Sequence, residues 1–167
     1  MARGRGCGWE ESVQHKVLCK YLKNKYGKKA IKHEDSVEIV RFKNGATQSR
    51  IYFAVHHRGH IELIECKASS HPWLIEAALG KLLIHRALMK MVNHISKKIK
   101  LAICMVDGYK YGANGDEWTS EHDKLITHIE KVLGEKIKVY LLMPKPKWAT
   151  KKYWNNQNKQ EVILQSH

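Results

Sequence analysis

The sequence predicts an α/β domain in which helices flank a mixed central sheet. Three segments place apolar residues at helical spacing, and five short apolar runs have the length and composition of strands. These elements follow the order helix, three strands, helix, strand, helix, strand. Three strands joined by short turns, followed by strands reached through helices, imply a mixed sheet with helices packed on its faces. At 167 residues, the chain is long enough for one domain with its own core.

The N-terminal half supplies the first helix and the three-strand meander. Apolar residues recur at helical spacing in WEESVQHKVLCKYLKNKYG, and Gly27 stands where this helix should end. The run AIKHEDSVEIVRF predicts a strand, followed by a turn centred on Asn44-Gly45. The runs RIYFAVHH and HIELIECKA predict a hairpin around Arg58-Gly59.

The C-terminal half alternates helices and strands. A helix begins near Pro72 in PWLIEAALGKLLIHRALMKMVNHI, and the strand KIKLAICMV follows it. The segment SEHDKLITHIEKVLGE predicts a helix with Ser120 as its N-cap, and KIKVYLLM predicts the last core strand. We assign residues 1–144 to one domain and residues 145–167 to a basic, aromatic-bearing C-terminal tail.

Charge is the most informative bulk property of the chain. Thirty Lys and Arg residues against sixteen Asp and Glu residues give a net charge of +14. A surplus of this size favours a polyanion such as DNA or RNA, or an anionic membrane surface, over a neutral partner. A generically Lys-rich surface is the plainer alternative, and we expect nucleic acid.

Composition also predicts a compartment. No apolar run is long enough to span a bilayer, and MARGRGCGWEES lacks the apolar segment of a signal peptide. The four cysteines are scattered without CxxC spacing, which argues against a zinc site of that type. We therefore expect a cytoplasmic, reducing environment and no membrane partner.

Two charges stand out at the end of the third predicted strand. Side chains alternate across a strand, so Leu63, Glu65 and Lys67 share one face of an otherwise apolar run. Unpaired charge is costly in such a place, unless the carboxylate meets a cation and the lysine meets that carboxylate or an anionic substrate. A structural ion pair at the sheet edge is the alternative.

The segment IECK, after a hairpin and before an amphipathic helix, resembles the motif of the PD-(D/E)xK nuclease superfamily. The resemblance implies a restriction-endonuclease-like core and, with the later elements, the order αβββαβαβ. It implies that Glu65 is a ligand for Mg²⁺ or Mn²⁺ and that Lys67 positions the attacking water. Glu10 matches the first-helix glutamate of the family, and Lys81 stands where many members have a glutamine.

The family's motif aspartate is replaced here. Its expected position, on the face of Glu65 across the hairpin, is Tyr52, and a phenol is a poor ligand for a hard cation. Glu38, Asp35 and Glu10 are candidate replacement carboxylates. The alternatives are a catalytically silent relative or an inactivating substitution.

The resemblance implies a Mg²⁺-dependent nuclease acting on DNA rather than RNA, with a homodimer as one compatible form. The alternative function is a catalytically inactive protein of the same fold that binds nucleic acid or an assembly partner, and a remoter one uses the helices only to bind partners. Arg50, Arg86 and Lys81 are candidate phosphate contacts. In the tail, basic and aromatic side chains interleave as in nucleic-acid contact surfaces, although they could instead dock on the domain. These tail residues are Lys145, Lys147, Trp148, Lys151, Lys152, Tyr153 and Trp154.

Eleven histidines raise the question of a second metal site, above all His56, His57 and His60 around the hairpin turn. No HExxH or CxxC pattern accompanies them. We expect surface imidazoles near a turn.

Overall fold

The protein is described from a computed structural model that covers residues 8–42, 45–67, 70–106, 118–144 and 160–165. Side chains are described for residues 16–32, 49–67, 70–105 and 118–142. Within these ranges the predicted fold class is confirmed, because helices flank a mixed central sheet.

The described part of the chain contains three α-helices, one short 3-10 helix and six strands. In order they are α1 (Gly8–Tyr26), a short 3-10 helix (Lys28–Ala30), β1 (Ile31–Phe42), β2 (Gly45–His56), β3 (His60–Cys66), α2 (Pro72–Met91), β4 (Lys98–Val106), α3 (Ser120–Leu133), β5 (Ile137–Pro144) and β6 (Gln160–Gln165). From α1 to β4 this is the order that the family resemblance implies. None of the described helices is both long and apolar enough to cross a bilayer.

The strands form one sheet in the order β1-β2-β3-β4-β5-β6. The first three strands pair antiparallel, β3, β4 and β5 pair parallel, and β6 pairs antiparallel to β5. The parallel pairs are those whose strands are connected through α2 and α3, as such crossovers require. The carboxyl ends of β3, β4 and β5 therefore lie at one edge of the sheet.

Each face of the sheet has its own apolar core. Leu63 of β3 packs with Leu82 of α2 and Ile126 of α3, whereas Ile64 packs with Leu18 and Leu22 of α1. Consecutive residues of β3 thus enter opposite cores, which is the alternation expected of a strand covered on both faces. The hydrophobic run of β3 follows from this double burial.

The strands β2 and β3 separate before β3 ends. Their pairing runs from His56 opposite Ile61 to Phe53 opposite Ile64, whereas β3 remains paired to β4 as far as Cys66. The end of β3 is therefore held from the β4 side and open toward β2. This opening lies beside Glu65.

Three boundaries differ from the sequence predictions. The sheet does not end at β5, because part of the predicted tail forms β6 along the edge of β5. The N-cap of α3 is Thr119 rather than Ser120, since Thr119 has extended backbone and its side chain and that of His122 form a reciprocal capping box. Gly45 already pairs with Phe42 and so belongs to β2 rather than to the predicted turn, and positions 43–44 lie outside the described residues.

Candidate active site

Glu65 is the penultimate residue of β3, and its side chain is fully buried. It follows Leu63 by two residues, so it points to the face that α2 covers. A charged group at this depth requires partners, because desolvation strongly disfavours an isolated carboxylate.

Two lysines reach the same oxygen of this carboxylate. Lys81 Nζ lies 2.8 Å from Glu65 Oε1, and Lys67 Nζ lies 3.3 Å from it. The second oxygen, Oε2, is buried and has no hydrogen-bond partner among the described residues. One half of the carboxylate is therefore neutralised by ammonium groups, and the other half is an acceptor without a donor.

The predicted position of the missing aspartate lies in the same cluster. The ammonium of Lys81 lies 5.1 Å from the centroid of the Tyr52 ring, a cation–π distance. The structure thus brings together Tyr52, Glu65, Lys67 and Lys81. Lys81 reaches the site because Ala78 and Leu82 anchor that face of α2 in the core.

The fit of this site to a hard divalent cation depends on a second acid. Glu65 Oε2 is a suitable ligand atom, and Mg²⁺ typically takes one or two carboxylates, completing its shell with water and phosphate. The sequence candidates Glu10, Asp35 and Glu38 lie in the parts of α1 and β1 for which only the backbone is described.

The backbone register adds an acid that sequence reasoning missed. Ile51 pairs with Asp35 and Phe53 pairs with His33, so Glu34 occupies the register position opposite Tyr52. Glu38 pairs with Gln48, farther along the ribbon from Tyr52. Directly opposed residues of antiparallel strands share a face. The strand register itself was the missing signal.

Trp73 is a second residue that sequence reasoning missed. It lies in the first turn of α2, six positions after Lys67, and it is 59% exposed. The side chain of the N-cap residue His71 accepts a hydrogen bond from the Trp73 backbone N–H. The Pro-Trp pair five and six residues after Lys67 was the available signal, since an exposed indole at the start of the helix that follows a basic motif suits base stacking.

Lys81, one of the predicted phosphate contacts, pairs with Glu65, and the remaining predicted contacts divide into three groups. Arg50 is exposed on β2, two residues before Tyr52. Arg86 instead forms an ion pair with Glu135, which precedes β5 and so lies toward the opposite edge of the sheet from Glu65. The tail residues Lys147, Trp148, Lys151, Lys152, Tyr153 and Trp154 lie outside the described residues.

A second buried carboxylate lies on the opposite face of β3. Tyr140 donates a hydrogen bond to Glu62 Oε1, and Lys138 Nζ lies 2.9 Å from Glu62 Oε2. Lys138 also donates to the hydroxyl of Tyr26, at 3.1 Å. Both oxygens of Glu62 thus have donors, whereas, among the described residues, Glu65 has donors at Oε1 alone.

This network should make the stability of the protein fall with rising pH in the alkaline range. Burial, together with the charge and the hydrogen bond of Glu62, raises the pKa of Tyr140. Burial alone lowers the pKa of Lys138, but the hydrogen bonds and charges of Glu62 and Tyr26 together outweigh it, so that pKa is also raised. A group whose pKa is higher in the folded state than in the unfolded state contributes to the free energy of unfolding. That contribution is fully present below the pKa of the unfolded state, about 10 for both groups, and is lost as the pH rises above this value.

We therefore expect the free energy of unfolding to fall as the pH rises from about 9 to about 11, above the ordinary tyrosine and lysine values. Urea unfolding at both pH values measures it, with Tyr140→Phe as the comparison. The variant should lose less stability over this range than the wild type. An equal loss in both proteins would show that Tyr140 does not contribute.

Comparison with known proteins gives limited similarity. No family model matches the chain, and no curated protein matches it. Among solved structures, the crystal structure of the restriction endonuclease BglII complexed with a DNA 16-mer is similar, with 14% identity and a TM-score of 0.37. The match covers 88% of this chain and 67% of that one. At this TM-score, the match carries no weight for function, and the α/β assignment rests on the sheet and helices described above.

Proposed function

We propose that the protein is a Mg²⁺-dependent nuclease that hydrolyses phosphodiester bonds in DNA. The observation that carries the proposal is the carboxylate of Glu65, fully buried at the open end of β3, with one oxygen held by lysines and the other lacking a donor. Buried acceptors without a partner are uncommon in native structures, and each calls for an explanation such as a bound ion or water. The net charge of +14 supports a polyanionic substrate.

Each group has a role in this proposal. Glu65 Oε2 and a second acid would hold the cation, which when bound polarises the phosphoryl oxygen and lowers the pKa of a water. Lys67, 24% exposed, reaches from the buried carboxylate toward solvent and would orient the attacking water and stabilise negative charge on the phosphate. Among the candidate second acids, Glu34 opposite Tyr52 is the first to test, followed by Asp35, Glu38 and Glu10.

DNA would approach the edge of the sheet where β3 ends. Trp73 and Arg50 lie on the elements that flank this edge, and would supply base stacking and a phosphate contact. Phosphate contacts release counterions, so binding should weaken steeply with added salt. A cytoplasmic location is proposed on composition alone.

Replacing Lys81 with glutamine should lower the Mg²⁺ concentration required for cleavage. The ammonium lies 2.8 Å from Glu65 Oε1 and repels an approaching cation, whereas an amide does not. We expect the half-saturating Mg²⁺ concentration to fall by about threefold or more, as partial exposure weakens the charge effect. Cleavage rates measured across a Mg²⁺ series check this, with Lys90→Gln, exposed in the last turn of the same helix, as control. An unchanged or higher Mg²⁺ requirement would contradict the view that Lys81 competes with the cation for Glu65.

The alternative is a protein of this fold that binds nucleic acid without cutting it. The observation in its favour is that two lysines neutralise Glu65 while a tyrosine stands at the aspartate position. In that case Lys81 and Lys67 neutralise a buried carboxylate that binds no metal ion.

The direct test is incubation of labelled single-stranded, duplex and branched DNA with the full chain and Mg²⁺ or Mn²⁺. Metal-dependent cleavage supports the nuclease. Salt-sensitive binding without cleavage supports the alternative. A protein that neither binds nor cleaves DNA would contradict both proposed functions.

A further inference from the structure

A second group of metal-ligating side chains lies at the other end of β3. His57 and His60 flank the β2–β3 turn, and Glu62 is the third residue of β3. One ligand atom from each of the three residues lies within 4.8 Å of the others, and no other such group occurs among the side chains that the structure describes. His57 and His60 are half-buried, and their rings are stacked with centroids 4.2 Å apart.

The local fold fixes these three residues. The backbone N–H of His57 donates to the carbonyl of His60 at 2.9 Å, which closes the turn. His60 and Glu62 are two residues apart on β3 and share a face. The ring of Tyr26, at the end of α1, packs edge-on against His57 with centroids 4.8 Å apart. The cluster therefore rests on a hydrogen-bonded turn and on the end of a helix.

The chemistry of the cluster suits a cation that binds nitrogen. His57 Nε2 is buried and has no hydrogen-bond partner among the described residues. Glu62 adds a buried carboxylate, and Tyr140 holds one of its oxygens in place.

We propose that His57, His60 and Glu62 form a binding site for a transition-metal dication, with Zn²⁺ as the best fit. Two imidazoles and one carboxylate are typical Zn²⁺ ligands, and three protein ligands leave a fourth position for water. The imidazoles must turn toward each other on binding, because ligands of tetrahedral Zn²⁺ lie about 3.3 Å apart. The hydrogen bond from Tyr140 orients the carboxylate as the outer contacts of metal sites do.

This site is separate from the candidate active site. Glu62 and Glu65 lie on opposite faces of β3, about 10 Å apart along the strand at three residues' spacing. The proposal therefore does not depend on nuclease activity. A bound ion would join the turn to the strand and so stabilise the sheet, which makes thermal stability a second readout.

Replacing Lys138 should change the Zn²⁺ affinity in a direction that the proposal predicts. Its ammonium lies 2.9 Å from Glu62 Oε2 and competes with any cation for that carboxylate. Removing the charge in Lys138→Met should tighten Zn²⁺ binding if Glu62 is a ligand. Replacing one of the three ligand residues should weaken Zn²⁺ binding.

The experiment uses the full chain after chelator treatment and dialysis. Isothermal titration with Zn²⁺ and visible absorption with Co²⁺ report affinity and coordination, and the melting temperature with and without Zn²⁺ reports coupling to folding. We expect His57→Ala and His60→Ala to weaken Zn²⁺ binding by at least about tenfold, and Lys138→Met to strengthen it. His128→Ala, an exposed histidine on α3, is the matched control and should bind as the wild type does.

Failure to bind Zn²⁺ or Co²⁺ would overturn the proposal, as would equal Zn²⁺ affinity in the wild type and both histidine variants. Should an alanine variant fold poorly, His57→Gln and His60→Gln retain bulk and test the same point. Mg²⁺-dependent cleavage in the histidine variants should equal that of the wild type, which distinguishes this site from the one at Glu65.

Discussion

The variant Lys67→Ala is expected to lose metal-dependent cleavage of DNA. In the wild type, Lys67 Nζ lies 3.3 Å from the buried oxygen of Glu65, and the side chain is partly open to solvent. It is thus positioned to act on both the metal-ligating carboxylate and a phosphate. Loss of a group that orients the nucleophile or stabilises developing charge typically reduces the rate by about a hundredfold or more. Initial rates on labelled duplex DNA at saturating Mg²⁺ measure the effect.

Two further variants make this prediction specific. Glu65→Gln keeps the shape of the side chain but removes the anionic ligand, so it should lose cleavage as fully as Lys67→Ala. Lys90→Ala removes an exposed lysine from the end of α2, and should cleave as the wild type does. Wild-type rates in Lys67→Ala and Glu65→Gln would place the chemistry elsewhere in the chain. DNA affinity should change little in either variant, since each removes only one charge.

The variant Glu62→Ala is expected to lose a large part of the protein's stability. It leaves the hydroxyl of Tyr140, a fully buried residue, without its acceptor, and the ammonium of Lys138 without its carboxylate. Breaking a buried ion pair by removing one partner typically costs about 3–5 kcal/mol. Partial exposure of Lys138, at 27%, places the expected loss near the lower end of that range. Urea unfolding of the metal-free protein at neutral pH measures it.

An exposed pair supplies the control for this measurement. Glu121 and Lys124 form an ion pair one turn apart on α3, with side chains 74% and 66% exposed. Glu121→Ala should therefore change stability by less than about 1 kcal/mol. The double variant Glu62→Leu with Lys138→Met should recover much of the loss, because it buries apolar groups instead of an unpaired charge. A loss below about 1 kcal/mol in Glu62→Ala would show that the network adds little.

Periodicity in the sequence was sufficient to predict most of the fold. Helical and alternating patterns located α1, α2, α3 and the first five strands, because each of these elements carries an apolar stripe or run in its sequence. The strand β6 was missed. Its six residues, QEVILQ, follow a long polar and basic segment, and the edge of β5 on which they pair is set by the tertiary fold.

The candidate site was predictable only where local rules apply. Alternation along β3 placed Glu65 and Lys67 on one face, and the family resemblance directed attention to Lys81. The partners of Glu62 were not predictable, because Lys138 and Tyr140 lie more than 70 residues away in sequence. The position of Glu34 opposite Tyr52 depends on the β1–β2 register, which shifts by a bulge between Glu38 and Val40. No periodicity in the sequence encodes that register.

The central claim is that the unsatisfied oxygen of Glu65 is a ligand for a divalent cation. Electron paramagnetic resonance of free Mn²⁺ during titration of the full chain measures this directly, because bound Mn²⁺ leaves the free signal. With His57→Ala and His60→Ala as the common background, the protein should bind Mn²⁺ at one site, and the addition of Glu65→Gln should abolish that binding. Identical isotherms with and without Glu65→Gln would contradict the account, and would leave Glu65 as part of a structural ion pair.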